Sequence, residues 1–442
     1  MGLARSVVIV AALGCAVRTA DADGSPKRDV PDYDGRGNPD AHAGHWSLWI
    51  PRVVLWPAYA VNEYVLRRPL GWAVSRAERK RWVQSIKDVF VFGATGENLI
   101  LPTALIDFGL LPSIGVYVAL EDVGTAHNAM RFHAATGGVD WLSATALDRY
   151  RWDDGAGTLA ARLELSRRPD YVFLGTGPDV TKATKSRYGL QRAEASGSFT
   201  RRLAGFSGFT FTAGVRAMSY RSAACCNSDP TLDERIADGS LAMPAGYPRG
   251  YTAVFQHTEL RLDTRSPRPA SASGAFLHLH GGSATDATHG NTWIRYGAMG
   301  GLAFDVTGHQ RTVTLTARLD LVDPVQGIVP FNELAQLGND QMAGFVPGWM
   351  NGRSTFVTEA SYRWPVWMWL DGQLRVAAGN AFDEHLDGFA AKKLRLSADI
   401  GVTSLGARDA AFEILFGLGT ETLEQGADIT SARFSIGTRR AF

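Results

Sequence analysis

Two alternating segments on either side of one long loop constrain the fold more than any other feature of the chain. Thr312, Thr314, Thr316, Arg318 and Asp320 alternate with Val313, Leu315, Ala317, Leu319 and Leu321. After the Gly- and Pro-punctuated run from Asp323 to Gly352 the alternation resumes, with Thr355, Val357, Glu359, Ser361 and Arg363 on one face and Phe356, Thr358, Ala360, Tyr362 and Trp364 on the other. A period of two is the signature of a strand. One apolar and one polar face suit a sandwich with its polar side in solvent, or a membrane barrel with a wet lumen.

The same pattern recurs in about sixteen segments between Leu99 and Phe442, an even number, as a closed bacterial barrel requires. Forty-eight glycines, 20% charged residues and no run of 18 apolar residues fit a β protein and exclude ordinary helical membrane spans. Connections after even-numbered segments are short, as at Asp153 to Gly157, Arg201 to Gly205, Thr307 to Gln310 and the corner at Pro365. Several after odd-numbered ones are long: Pro169 to Arg187, Arg221 to Gly250 and Asp323 to Gly352. Short turns at one rim and long loops at the other are the outer-membrane pattern, with both termini on the periplasmic side. Trp364, Trp367 and Trp369 cluster at a short turn, where an aromatic girdle belongs. The last segment ends on Phe442, with Phe434 and Ile436 on its apolar face. The expected fold is all-β, an antiparallel transmembrane β-barrel of about 16 strands preceded by a short amphipathic helical segment.

The start of the chain sets its destination. Arg5, an apolar core from Val7 to Val17 and Ala20-Asp21-Ala22 read as a cleavable signal peptide over residues 1–22. Residues 23–45 are a polar linker, and residues 46–87 an amphipathic, Trp- and Arg-bearing segment broken by Pro51 and Pro57. Such a segment is expected at the periplasmic rim, in the interface. The barrel follows over 88–442, in the outer membrane. The exported chain keeps Cys225 and Cys226, adjacent in sequence; two thiols in a surface loop is the simplest reading, with a vicinal disulfide or a thiophile site as alternatives.

Several stretches in this order resemble the barrel of the outer-membrane assembly and secretion superfamily that includes BamA, TamA and the two-partner secretion transporters. Pro169-Asp170-Tyr171-Val172-Phe173-Leu174-Gly175-Thr176-Gly177 is similar to the family's early F-Y-G-x-G loop. Leu260 to Arg265, with Asp263 and Arg265, is similar to its D-T-R signature, and Gly379 to the glycine of a later D-x-G segment. Asp323-Pro324, Pro330-Phe331, Leu337-Gly338 and Gly344-Phe345 resemble its lumen-filling loop. The resemblance covers roughly Asp88 to Phe442 and implies a barrel that assists insertion or translocation at the outer membrane, with protein clients or assembly-machine subunits as partners.

The departures are specific. In the family the loop tip carries an arginine held by two lumen-facing carboxylates. The matching positions here read Ala343, Ser361 and Ala377. A buried charge without its partner is strongly destabilising, so the three are expected to be lost as a set. The loop over 323–352 is still expected to fold inward, held by packing rather than charge. Arg353 or Arg363 with Glu359 is a candidate replacement clasp. The globular periplasmic receptor domains that family members carry have no counterpart in the roughly 65 residues before the first strand.

No catalytic or phosphate-binding motif is present, so an enzyme is not expected, nor a cofactor or a small-molecule substrate. His278 and His280 share a strand face and His289 follows, but no third ligand accompanies them, and no metal site is expected. A net charge of +1 offers no field for nucleic acid. Two readings remain open: a barrel whose weak seam opens to a client, and a passive pore or structural barrel that has lost the loop lock and the periplasmic arm.

Overall fold

The computed structural model describes residues 90–93, 98–226, 229–265, 273–306, 311–367, 370–404 and 410–440, with four isolated positions before them. Sixteen antiparallel strands form one closed sheet. They are β1 (Asn98–Asp107), β2 (Ser113–Glu121), β3 (Asn128–Gly138), β4 (Trp141–Trp152), β5 (Gly157–Phe173), β6 (Ser186–Arg202), β7 (Gly208–Arg221) and β8 (Tyr251–Asp263). The second half is β9 (Gly274–Asp286), β10 (Thr292–Asp305), β11 (Thr312–Gln326), β12 (Ser354–Trp367), β13 (Leu370–Phe382), β14 (Arg395–Ser404), β15 (Ala410–Thr422) and β16 (Ile429–Arg440). Each strand pairs with its neighbours in sequence, and β16 returns to β1 to close the barrel. With 9 to 17 residues apiece, the strands are long enough to cross a tilted hydrocarbon layer.

The two faces sort as the alternation requires. Leu163, Leu165, Val215, Leu315 and Leu396 project from the outer wall and are exposed. A continuous apolar exterior on a closed sheet is stable only in lipid, which separates the barrel from a sandwich. The inner wall carries ion pairs instead: Arg162 and Arg192 with Glu164 and Glu194, Arg318 with Asp320, and Arg375 with Asp399 at 2.8 Å. Connections after β5, β7, β11 and β13 are the longest, and those after even-numbered strands are short except the one from β8 to β9. At two of the short turns an aromatic covers a glycine on the next strand, Trp152 over Gly157 and Trp364 over Gly372. Trp369 and the side chain of Trp367 lie outside the described residues, as do Phe442, the signal peptide, the linker and nearly all of the amphipathic segment.

Two strand boundaries and one cysteine pair differ from the sequence reading. β5 does not end at Leu165 but runs on to Phe173, pairing Tyr171, Val172 and Phe173 with Tyr188, Arg187 and Ser186 across a bulge. The stretch read as an early loop from Pro169 is therefore strand up to Phe173, and the loop proper begins at Leu174, with Gly175 and Gly177 in it. Pro169 hid this continuation, because proline is tolerated at just such a bulge. β11 likewise continues through Pro324 to Gln326 beside β10. Cys225 and Cys226 are not two free thiols but a disulfide, in the connection after β7.

At the end that carries the long connections, two of them pack over the mouth of the barrel. The one after β7 carries a short helix, Leu232–Ala237, opened by a capping box between Thr231 and Glu234. The one after β11 places the Phe331 ring 5.2 Å from Phe173 and Tyr188 and 5.1 Å from Tyr220. Tyr251 donates to the Glu333 carboxylate, and Arg216 lies 3.3 Å from the same group. A buried acid with a cation and a phenol around it meets the condition for keeping a charge out of water.

Candidate functional site: the loop tip and the barrel seam

The connection from β11 to β12 turns into the barrel. Ala335–Leu337 pairs with Met350–Gly352 to form its neck, and Met342, Phe345, Trp349 and Met350 are buried in one cluster with Leu337 and the wall residues Val357, Ala377 and Ala381; Ala343 is buried beside them. Pro330 and Phe331 lie where the loop leaves the rim, and Gly338 turns the chain toward the tip with φ +116°.

The tip docks against β14, β15 and β16. The Gly344 N–H donates to Ser397 Oγ at 3.0 Å, and Ser431 Oγ donates to the Gly344 carbonyl at 2.7 Å. A Cβ at Gly344 would lie 2.1 Å from the Leu418 carbonyl oxygen, so only glycine lets the backbone come this close. On β15 the Gly417 backbone and the space above Gly419 receive the Ala343 carbonyl and the Phe345 ring.

Charge also holds the loop, contrary to the expectation of packing alone, and its polarity is the reverse of the one the family resemblance implies. The cations are on the wall and the acceptors on the loop. Arg433 of β16, 1% exposed, donates from Nη2 to Asn339 Oδ1 at 2.9 Å and from Nη1 to the Phe345 carbonyl at 3.3 Å and the Ala343 carbonyl at 3.5 Å. Arg375 of β13 donates to the Asp340 carbonyl at 3.0 Å while paired with Asp399. The suggested clasp from Arg353 to Glu359 does not form: Arg353 pairs with Asp323 at 2.8 Å and with Glu384, both at the outer rim. Ser361 stands opposite Arg375 in the register, and Ala377 lies between Glu359 and Ser397; Arg363 is exposed near the periplasmic end of the same face.

The remaining signature residues lie apart from the tip. Asp263 and Arg265 form a two-point ion pair, 3.0 Å from Nε to Oδ1 and 2.7 Å from Nη2 to Oδ2, with the guanidinium 4.1 Å over the Phe276 ring. Gly379 lies in β13 opposite Val357. His280 pairs with Asp320 at 3.0 Å and His289 with Asp286 at 2.8 Å. Among the described residues no three His, Cys, Asp or Glu side chains gather where a metal could bind.

The closing seam is the weakest ladder of the barrel. Ser435 registers with Asp107, Ile436 with Ile106 and Gly437 with Leu105, and the Phe108 N–H donates to the Phe434 carbonyl at 2.9 Å. The ladder between β5 and β6, by contrast, runs from Gly157 with Arg201 to Phe173 with Ser186. Below the seam pairs, Val91 and Phe92 fold back on Leu99 and Asn98. Between these contacts, Ile100 to Ala104 register with no strand on that side among the described residues. Pro102 sits in the middle of this edge, where a residue without an N–H is tolerated. Gly437 is required at the seam for space, since a Cβ there would lie 2.1 Å from the Ala104 carbonyl oxygen and 2.6 Å from the Leu105 Cα.

Across the seam the guanidinium of Arg433 meets the carboxylate of Asp107 at 2.8 Å from Nε to Oδ1, with a second bond from Nη2 to Oδ2; the two side chains are 1% and 4% exposed. On the outer face the Phe434 and Phe108 rings are 5.4 Å apart. Reasoning from the sequence placed Phe434 and Ile436 on the lipid side but missed Arg433, whose partners are 326 and about 90 residues away. The available signal was an arginine at lumen parity in the middle of the last strand, beside the missing arginine of the loop tip.

Sixteen strands, an inward loop after β11 docked at the last strands, and a short closing seam form a combination that can be compared with solved structures. The barrel has the fold of BamA. The chain superposes on BamA from Haemophilus ducreyi lacking POTRA domains 1–3 with a TM-score of 0.55 at 11% identity, over 78% of this chain and 70% of that one. It superposes on CdiB from Escherichia coli with a TM-score of 0.50 at 10% identity, over 76% of this chain and 62% of CdiB, so it spans less than two thirds of that protein. No family model and no curated protein matches the sequence. The BamA-type fold is thus recognised through strand number, order and loop placement, with little identity left.

One rim contact outside the bilayer carries a defined electrostatic bias. Asp229, in the connection after β7, is partly buried, which alone would raise its pKa. Hydrogen bonds from Lys185 and Arg187 outweigh this and hold it below the usual carboxylate range.

Proposed function

We propose that this barrel resides in the outer membrane and assists the insertion or translocation of protein there, working at the seam between β1 and β16. The observation that carries the reading is the edge from Ile100 to Ala104, which registers with no strand on that side among the described residues, beside a ladder of three registered pairs. Backbone N–H and C=O groups on a strand edge in lipid must find partners, so an edge of this kind takes a passing strand readily. A client hairpin would pair with β1 as the seam parts. The two loops packed over the extracellular mouth and the inward loop on the inner wall weigh against a passive pore as the principal role.

Photo-crosslinking tests this in intact outer membranes. A photoreactive residue at Ile100 is expected to capture nascent outer-membrane or secreted chains, whereas one at Leu315, on the far outer wall, is expected to capture none. Equal capture at both positions, or none at Ile100 alongside steady ion conductance of the purified barrel, would move the assignment to a passive pore.

A further inference from the structure

We propose that Arg433 is a latch that couples the position of the inward loop to closure of the seam. The inference rests on the reading of the seam as the working part of the barrel, and it concerns the regulation of that site. A guanidinium presents five N–H donors in a fixed fork. Here they are divided between two bodies that move separately: Asp107 on β1, and Asn339, Ala343 and Phe345 on the loop. Arg433 itself belongs to β16 and is 1% exposed.

Parting the seam removes the carboxylate that is hydrogen-bonded to this cation and opens its dry site to water. Withdrawing the loop removes the neutral acceptors on that side and opens the same site, leaving Arg433 with Asp107 and the more distant Asp399. In either case water solvates the guanidinium in place of the lost partner and weakens its attraction to the remaining one, so each movement makes the other easier. Coupling of this kind is reciprocal: whatever loosens the loop must loosen the seam by the same factor. Arg375 provides the contrast, since it bonds the loop at Asp340 and the wall at Asp399 but does not touch β1.

The test uses the full chain in lipid vesicles, with Cys15→Ser, Cys225→Ser and Cys226→Ser, and two single-cysteine reporters read by a small thiol reagent. Ser435→Cys reports the seam and Ala343→Cys the loop tip; both native side chains are 1% exposed. Arg433→Met paired with Asp107→Asn, which avoids stranding the acid, is expected to raise the labelling rate of both reporters by about tenfold or more, the factor equivalent to about 1.4 kcal/mol. Arg433→Lys, which keeps the charge but not the fork, is expected to raise both by less and covers failure of the first variant to fold.

The deciding variant is Ser397→Ala, which weakens the tip on β14 without touching the seam. With Arg433 present it is expected to speed labelling at both reporters; with Arg433→Met it should speed only the tip. Tip release without seam release in the Arg433 protein, or no response of either reporter to Arg433→Met, overturns the latch. No client is involved, so a failed client assay with intact coupling would refute the proposed function and leave the latch standing.

Discussion

Placing an arginine at position 343 puts the loop tip to its most demanding test. Ala343 is 1% exposed, its carbonyl lies 3.5 Å from Arg433 Nη1, and the pocket around it already holds one guanidinium matched to one carboxylate, Asp107. Ala343→Arg adds a second cation with no second anion. An uncompensated buried charge costs about 3–5 kcal/mol, and forcing a long side chain into a packed cluster costs about 1–3 kcal/mol more. A loss of at least about 3 kcal/mol is therefore expected, read as a fall in the midpoint of heat-modifiability on gels. Combining it with Arg433→Met moves the cation from wall to loop, leaves Asp107 as its counter-ion, and should recover more than half of the loss. Adding Ser361→Glu and Ala377→Asp to Ala343→Arg is a second rescue. Ala377 packs with Met342 and Phe345, but Ser361 faces Arg375 and is the weaker partner of the two. If Ala343→Arg alone stays within about 0.5 kcal/mol of the parent, the range of an inert surface change, water reaches the tip and the charge argument fails.

Three further outcomes follow from separate contacts. Phe345→Ala empties a fully buried ring site over Gly419 and should cost about 3–5 kcal/mol in the same heat-modifiability assay. Gly437→Val drives a side chain into the Ala104 carbonyl and should slow oxidative crosslinking of Ile106→Cys to Ile436→Cys severalfold while leaving the other ladders folded. The Asp229 clasp stabilises its loop above the ordinary carboxylate pKa and loses that contribution as pH falls through the lower folded value, because the folded state holds the proton less tightly than the unfolded one. Cleavage between Arg221 and Gly250 by an acid-stable protease should therefore increase only as pH falls below about 4, and Asp229→Asn should abolish the pH dependence.

The sixteen strands were legible in the sequence because lipid and water impose opposite demands on alternate residues, and a segment such as Phe209 to Ala217 records both in its period. The inward direction of the loop was legible in Phe331, Phe345, Trp349 and Met350, too apolar to remain outside. What anchors the loop was not. Arg433, Asp107 and Asn339 are spread over most of the chain, and their meeting depends on barrel closure, which no local pattern encodes. Pro169 and Pro324 misled for a local reason. Proline usually ends a strand, but both of these lie inside strands, Pro169 beside a bulge and Pro324 paired with Trp293 near the end of β11.

The most direct measurement of the central claim is a reversible lock on the seam. Ile106 and Ile436 register across it and face lipid, away from Arg433. Paired residues on antiparallel strands lie about 5.5 Å apart or less at Cα, within the span of a disulfide. With Ile106→Cys and Ile436→Cys oxidised in the Cys225→Ser, Cys226→Ser background, insertion or secretion of clients that depends on this protein should stop. Reduction should restore it, with no change in the stability of the barrel. Undiminished client delivery through a barrel shown to be fully crosslinked would contradict the account.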